Sequence, residues 1–264
     1  MSVPVIFIQL GSRDYFNLIY HQACKNDNTV IVIGDDSTTP LKHADIKNYS
    51  ESANAFSKVY QHLSTNSYEA ELICFNRWFI LLEYMIKNGI DRCLHLDTDV
   101  MLYANAEKEI KNFEQFAFTL SHRCCGSNSF FTLKGLTGFC NYILQLYSNK
   151  NSIEYDQITM HYTVRQKYSL PGGVSDMLLL DKYSSRICGM VGEMMHITND
   201  STYDHNINES DQYFKMSGQN IKEVSFFERL PYCHQTTTGK EIRFSTLHFQ
   251  GPAKRFISSH LQKE

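Results

Sequence analysis

Two carboxylates one residue apart, Asp97 and Asp99, interrupt an apolar run formed by Cys93, Leu94 and Leu96 before them and Val100, Met101 and Leu102 after. A carboxylate withdrawn from water is costly unless a cation or hydrogen bonds compensate it. On an extended chain, side chains two apart share a side, so Asp97 and Asp99 can hold one hard divalent cation, Mn2+ or Mg2+, whose usual client is a diphosphate. An Asp-x-Asp also closes many ordinary strands as a polar turn, and the tripeptide alone does not separate the two readings. Near the other end of the chain, His248, Gly251 and Lys254 recur at three-residue spacing after a short apolar strand. Imidazole is an acceptable manganese ligand beside carboxylates. A lysine and a glycine backbone one turn later can hold phosphate oxygens. A plain surface loop is the alternative for this second stretch. Together the two stretches define an expected site, with metal on Asp97, Asp99 and His248 and a diphosphate on Gly251 and Lys254.

Other residues could serve the same ligand. The first strand ends in Gln9, Gly11, Ser12, Asp14 and Tyr15, polar groups suited to a base or ribose, and the second ends in Asp35 and Asp36. Each is equally readable as a satisfied loop residue. Arg77 lies off the apolar stripe of its helix, either as a surface arginine or as a cation turned toward the ligand. Its neighbour Trp78, the single tryptophan, reads as packing. Asp176 follows the Gly172-Gly173 bend and precedes Met177 to Leu180. It fits a helix start facing a cleft and a simple capping carboxylate equally well. His122, Cys124 and Cys125 imitate part of a zinc set, but no second pair follows at a suitable spacing.

With these motifs in order, the chain resembles the GT-A-fold nucleotide-sugar glycosyltransferases. Its motif layout is similar to that of the retaining family of glycogenin and the bacterial lipopolysaccharide galactosyltransferases. The resemblance implies that Asp97 and Asp99 are the DxD pair that coordinates manganese, with Asp97 also near the ribose. It implies that His248, Gly251 and Lys254 are the terminal HxxGxxK, and that Arg77 in FNRWFILLEYM occupies the cationic helix before the metal strand. A UDP-sugar donor and a glycan or lipid-linked glycan acceptor are what the family implies. Two departures stand out: Phe130 replaces the glycine of an Asn-Ser-Gly stretch echoed by Asn128-Ser129, and Met177 replaces the glutamine of an Asp-Gln pair echoed by Asp176.

The chemistry expected of such a site is sugar transfer to a hydroxyl. Metal, Lys254 and Arg77 offset the charge that grows on the leaving diphosphate. In an inverting reaction Asp176 is the catalytic base. In a retaining one, which the resemblance favours, the leaving phosphate takes the proton and Asp176 orients hydroxyls. Two other readings stay open: a sugar-phosphate nucleotidyltransferase, for which QLGSRDY is a poor phosphate loop, and a non-catalytic carbohydrate-binding protein on the same fold.

The elements that must position these residues alternate. Residues 5–8, a helical segment and residues 30–33 predict a βαβ unit with parallel strands. No GxGxxG follows the first strand, which disfavours a dinucleotide fold. Ser67 can cap a long helix to Lys87, closed by Asn88-Gly89, with Leu72, Phe75, Phe79, Leu82 and Ile86 as its apolar stripe. Residues 126–129 read as a turn, residues 138–147 and 156–168 as helices, and residues 190–240 as irregular, in the manner of a lid or acceptor-binding region. The expectation is a single α/β domain over 1–264, Rossmann-like with a mixed, mainly parallel sheet. Its nucleotide-binding part spans 1–125 and its acceptor-binding part 126–264.

The 264 residues carry a net charge of -3 with 20% charged residues, which gives no basic footprint for nucleic acid. Eight scattered cysteines without a CxxC pair suggest reduced thiols. The start of the chain has no basic n-region, and no window of 18 apolar residues occurs. A cytoplasmic enzyme is therefore expected, with peripheral membrane contact left open for a lipid-linked acceptor.

Overall fold

The computed structural model describes residues 3–35, 41 and 43–262. Its first units are β1 (Val5–Gln9), α1 (Phe16–Cys24) and β2 (Val30–Gly34), followed by the short β3 (Ala44–Asp45) and α2 (Glu51–Val59). α3 (Tyr68–Lys87) leads into β4 (Arg92–Leu96), and β5 (Val100–Leu102) follows after a turn. Then come α4 (Ala106–Glu109), β6 (Phe118–Leu120), β7 (Asn128–Thr132), α5 (Leu133–Ser148), α6 (Ile153–Lys167) and α7 (Asp176–Arg186). The remaining strands are β8 (Val191–Glu193), β9 (Ser201–Thr202), β10 (Val224–Phe227), β11 (Leu230–Gln235), β12 (Lys240–Phe244) and β13 (Thr246–His248). A 3-10 stretch, Gly251–His260, comes after β13.

Seven strands form the central sheet in the order β3-β2-β1-β4-β7-β6-β8. β1 pairs parallel with β2 and β4, while β7 runs antiparallel to both β4 and β6. β6 and β8 are again parallel, so β7 alone runs against the other described strands of the sheet. This is the mixed, mainly parallel sheet expected from the sequence. Alternation divides its side chains between two cores. Ile6, Ile33, Cys93 and Phe131 face one side, with α2, α3, α5 and α7. Val5, Phe7, Val32, Leu94, Leu96 and Phe130 face the other, with α1, β5 and β13. Hydrophobic faces on both sides of a sheet need cover on both sides, and three layers result.

α3 begins where expected: the Ser67 side chain accepts from Ala70 N, and the chain leaves the helix through Asn88 and Gly89, the latter at φ 61. Its burial departs from a single stripe. Every residue from Trp78 to Met85 is buried, and Ile86, placed on the stripe, is 56% exposed. The helix is enclosed by α2, α5 and α7 as well as the sheet, so its core contacts surround it rather than follow one face. Residues 128 and 129, expected in a turn, open β7 and are fully buried.

Residues 190–240, expected to be irregular, contain most of a second sheet of order β10-β11-β12-β9. Along β11 the buried positions are Pro231, Cys233 and Gln235. A strand that buries a proline and a glutamine carries no apolar alternation, which is why its period could not be read. The junction between this sheet and the central one is the antiparallel pair β5–β13, with His248 opposite Val100 and Leu247 opposite Met101.

Candidate active site

Asp97 and Asp99 lie at the carboxyl end of β4, where ligands of open α/β sheets bind. They are not on an extended chain, however. Val100 N donates to the Asp97 carbonyl at 3.0 Å, closing a turn, and Asp97 N donates to Ser127 O at 2.7 Å. The alternation of an extended chain therefore does not apply here, and the two carboxylates have different nearest partners although both line one cleft. Asp97 faces Arg77 in a close ion pair and His95, whose Nε2 is 3.4 Å from Oδ1. Asp99 faces His248, with Nε2 3.4 Å from Oδ1, and Lys254, with Nζ 2.7 Å from Oδ2. Burial raises the pKa of both carboxylates, but Arg77 and the histidines hold Asp97 well below the ordinary range, and His248 and Lys254 lower that of Asp99.

Arg77 sits three turns into α3 and turns inward. Beyond Asp97 it donates from Nη2 to Asp176 Oδ2 at 2.7 Å, so one guanidinium bridges two carboxylates. Asp176 is 3% exposed at the first position of α7. The helix has its own cap, because the Ser175 side chain accepts from Leu178 N, and Asp176 is thereby spared that task. Trp78, wholly buried, adds its indole N–H to the same Oδ2 at 3.0 Å, and Met177 N donates to Oδ1 at 2.9 Å. The bend before α7 is docked on residues 63–65: Val174 N donates to Leu63 O at 2.8 Å, and Gly173 forms a bridge with Ser64.

His248 and His95 are arranged alike. His248 Nδ1 makes a close contact with the His205 carbonyl, and His95 Nδ1 lies 3.2 Å from the Ile6 carbonyl. A carbonyl only accepts, so in both rings Nδ1 carries the proton and Nε2 points at a carboxylate oxygen. For His248 burial lowers the pKa and Asp99 raises it, with a net rise. A cation at the Nε2 end satisfies imidazole and carboxylate together, and a carboxylate oxygen with an imidazole nitrogen is a donor set that suits manganese. Asp99 and His248 thus fit the implied metal. Asp97 feels the charge of both but is paired with Arg77, and among the described residues no three His, Cys, Asp or Glu side chains are grouped to hold a metal.

A cleft of about 480 Å³ opens at these strand ends, and Gln9, Arg77, Asp97, Asp99 and Lys254 line it together. The Gln9 amide donates to Leu10 O at 3.2 Å and makes a close contact with Gly11 O, while Asp35 Oδ2 accepts from Gly11 N at 3.1 Å. Both residues therefore shape the corner after β1, where Gly11 has a left-handed φ of 70. Gly251, also left-handed at φ 57, starts the 3-10 stretch with no atom within 4 Å of where a Cβ would be. Asp36 lies outside the described residues. Sequence reasoning missed His95, Arg13 and Thr98, which also line the cleft. His95 sat in plain view two residues before Asp97, but inside an apolar strand it read as core.

No protein-family model matches the chain, and no curated protein does. Solved structures do resemble it. Mouse xyloside xylosyltransferase 1 in its apo form is 9% identical, with a TM-score of 0.48 over 76% of this chain and 88% of that one. A glycosyltransferase involved in glycosylation of the major capsid of PBCV-1 is 12% identical, with a TM-score of 0.42 over 98% of both chains. The galactosyltransferase LgtC, in complex with donor and acceptor sugar analogs, is 9% identical, with a TM-score of 0.45 over 99% of this chain and 97% of that one.

Proposed function

We propose that the chain is a metal-dependent glycosyltransferase that moves a sugar from a nucleoside-diphosphate donor, a UDP-sugar, to a hydroxyl of a glycan or lipid-linked glycan. The observation that carries this reading is the meeting of Asp99 with both His248 and Lys254 at the rim of a cleft at the strand ends. A carboxylate, an imidazole and an ammonium from distant segments converge where a diphosphate needs a cation and a fixed positive charge. Asp99 and His248 would hold Mn2+ or Mg2+, with Asp97 as the third ligand once released from Arg77. The metal, when bound, supplies Lewis-acid stabilisation of the leaving diphosphate. Lys254 binds the same oxygens, and Gly251 lets them approach the backbone. Gln9 and Asp35 hold the corner that receives base and ribose.

Retention is the better-supported stereochemical course. Both Asp176 oxygens already accept hydrogen bonds, from Arg77, Trp78 and Met177 N, and Asp176 is not among the residues lining the cleft. A base must reach the hydroxyl it deprotonates. Asp176 instead serves the reaction by orienting Arg77 toward the donor, and the leaving phosphate takes the proton.

The test is thermal stabilisation by UDP, GDP and CDP with manganese, repeated in EDTA, since a ligand of the folded state raises the melting point as it saturates the site. Manganese-dependent stabilisation by UDP above the others is expected. Preference for GDP or CDP moves the donor base. No response to any nucleotide rejects the donor site and leaves a non-catalytic carbohydrate-binding protein.

A further inference from the structure

We propose that Lys222 is a positioning residue for the metal-side histidine: by clamping residues 204–211 it aims His248 Nε2 at Asp99, and so sets cation affinity without touching the cation. The inference rests on the donor-and-metal reading above.

Lys222 is 1% exposed. Its ammonium has three protons, and three acceptors stand at 2.7 Å: Asp204 Oδ1, Asp211 Oδ1 and the Asn206 carbonyl. A buried ammonium is tolerated only when its protons are satisfied in this way. An apolar side chain of similar length would fill the same space without that demand, so packing alone does not account for a lysine here.

What the charge holds is one short segment. Lys222 grips it at Asp204 and Asn206 through Nζ, and at Ile207 through its own backbone N, which donates to Ile207 O at 2.8 Å. That segment in turn makes the contacts that orient His248. Asp204 Oδ2 accepts from His248 N at 3.0 Å, Ile207 N donates to His248 O at 2.9 Å, and the His205 carbonyl takes the ring Nδ1–H. Backbone donor, backbone acceptor and ring tautomer are thus all fixed by residues 204–207. The segment is also tied to β7, because Asn128 Nδ2 donates to Asp204 O at 2.8 Å. A loss at Lys222 reaches the imidazole through this segment: without the ammonium, Asp204 Oδ1 and the Asn206 carbonyl lose their buried partner, the segment shifts, and the carbonyl that sets the tautomer shifts with it.

Lys222→Met alone strands two buried carboxylates, so the informative variant removes all three charges together as Lys222→Met, Asp204→Asn and Asp211→Asn. Manganese binding is measured by titration calorimetry beside nucleotide stabilisation by UDP in EDTA. The triple variant should bind manganese about 10- to 100-fold more weakly, the range for partners that orient a ligand, with its EDTA response to UDP unchanged. Lys222→Arg, which keeps the charge but sets the carboxylates farther out, should lose about 3-fold. Parent-like manganese affinity in either folded variant overturns the proposal and leaves Lys222 a residue of the fold alone. A parent protein that takes up no manganese overturns the donor-and-metal reading itself, and this inference with it.

Discussion

Asp176 receives the Arg77 guanidinium at 2.7 Å, and the same guanidinium grips Asp97, so a residue of α7 is linked to the turn after β4 through a side chain of α3. The consequence is measurable. Removing Arg77 strands two carboxylates, Asp97 and Asp176, of which the second is nearly out of reach of water. Arg77→Met should lower stability by about 3 kcal/mol, the magnitude found when one partner of a buried pair is removed. Urea unfolding of the variant beside the parent checks it, and a loss under about 1 kcal/mol would place the pair in the class of surface salt bridges.

Asp99→Ala tests the metal side separately. The variant should lose the manganese-dependent part of UDP stabilisation and keep the part seen in EDTA, because Gln9, Asp35 and Arg77 are untouched. Melting curves over a manganese series decide it. If Asp99→Ala responds to manganese as the parent does, the cation is held elsewhere.

Asp176→Asn keeps the shape of the side chain and removes the charge that fixes Arg77. UDP affinity should stay within a few-fold of the parent, whereas slow hydrolysis of the UDP-sugar should fall by about 100-fold, as expected when an oriented charge is misplaced near a reaction centre. Equal losses in binding and turnover would instead make Asp176 a donor-binding residue.

The Asp204–Lys222–Asp211 cluster carries a pH dependence with a definite sign. Burial pushes the Asp211 carboxyl up to about 6, with Asp204 and Glu209 adding to the rise and Lys222 opposing it. Two carboxylates on one ammonium leave an excess negative charge, and Asp211 Oδ2 is buried without a partner. A carboxyl whose pKa is higher in the folded state binds its proton more tightly there, so its contribution to stability is largest below about 4 and is lost as pH rises through about 6. Asp211→Asn mimics the protonated form. It should exceed the parent in stability at pH 7.5 by about 2–3 kcal/mol, and the gap should close toward pH 4. A constant gap across that range would mean that Asp211 does not titrate there.

Gly173 offers a structural control. A Cβ there would stand 2.2 Å from Leu63 O and 2.6 Å from Ser64 Cα, both backbone atoms that cannot swing aside. Gly173→Ala should therefore destabilise by about 1–3 kcal/mol, the usual cost of overpacking, and should weaken turnover along with stability because the same bend delivers Asp176. Thermal melting and UDP-sugar hydrolysis on one preparation separate the two effects.

The sequence was most readable where one rule governed each element. The βαβ start, the Ser67 cap and the Gly89 stop of α3 all follow local chemistry and stand in the structure as anticipated. Legibility failed where tertiary contacts set the outcome. Ile86 followed the helical period but is exposed in the last turn of α3, and β11 buries Pro231 and Gln235 because neighbouring strands, not residue type, decide what faces inward. At the site, residue types were legible and their pairing was not. The turn at residues 97–99 gives the two carboxylates different nearest partners, Arg77 for Asp97 and Lys254 for Asp99, and Lys222 between Ile221 and Glu223 gave no sign that it would be buried. A lysine in a loop-like sequence signals exposure, and only the meeting of residues 204 and 211 around it reverses that.

The β5–β13 pair has a bearing on how the cleft is assembled as the chain is made. Asp97 and Asp99 leave the ribosome long before His248, and the acidic turn has neither imidazole nor Lys254 until Thr246–His248 docks antiparallel on Val100–Leu102. Contacts of such sequence separation form late, after the loop between them has been ordered. A chain whose amino-terminal strands have already folded therefore carries Asp99 at the strand ends without His248 or Lys254 beside it, and the cleft gains its full set of charges only when the carboxyl-terminal segment docks.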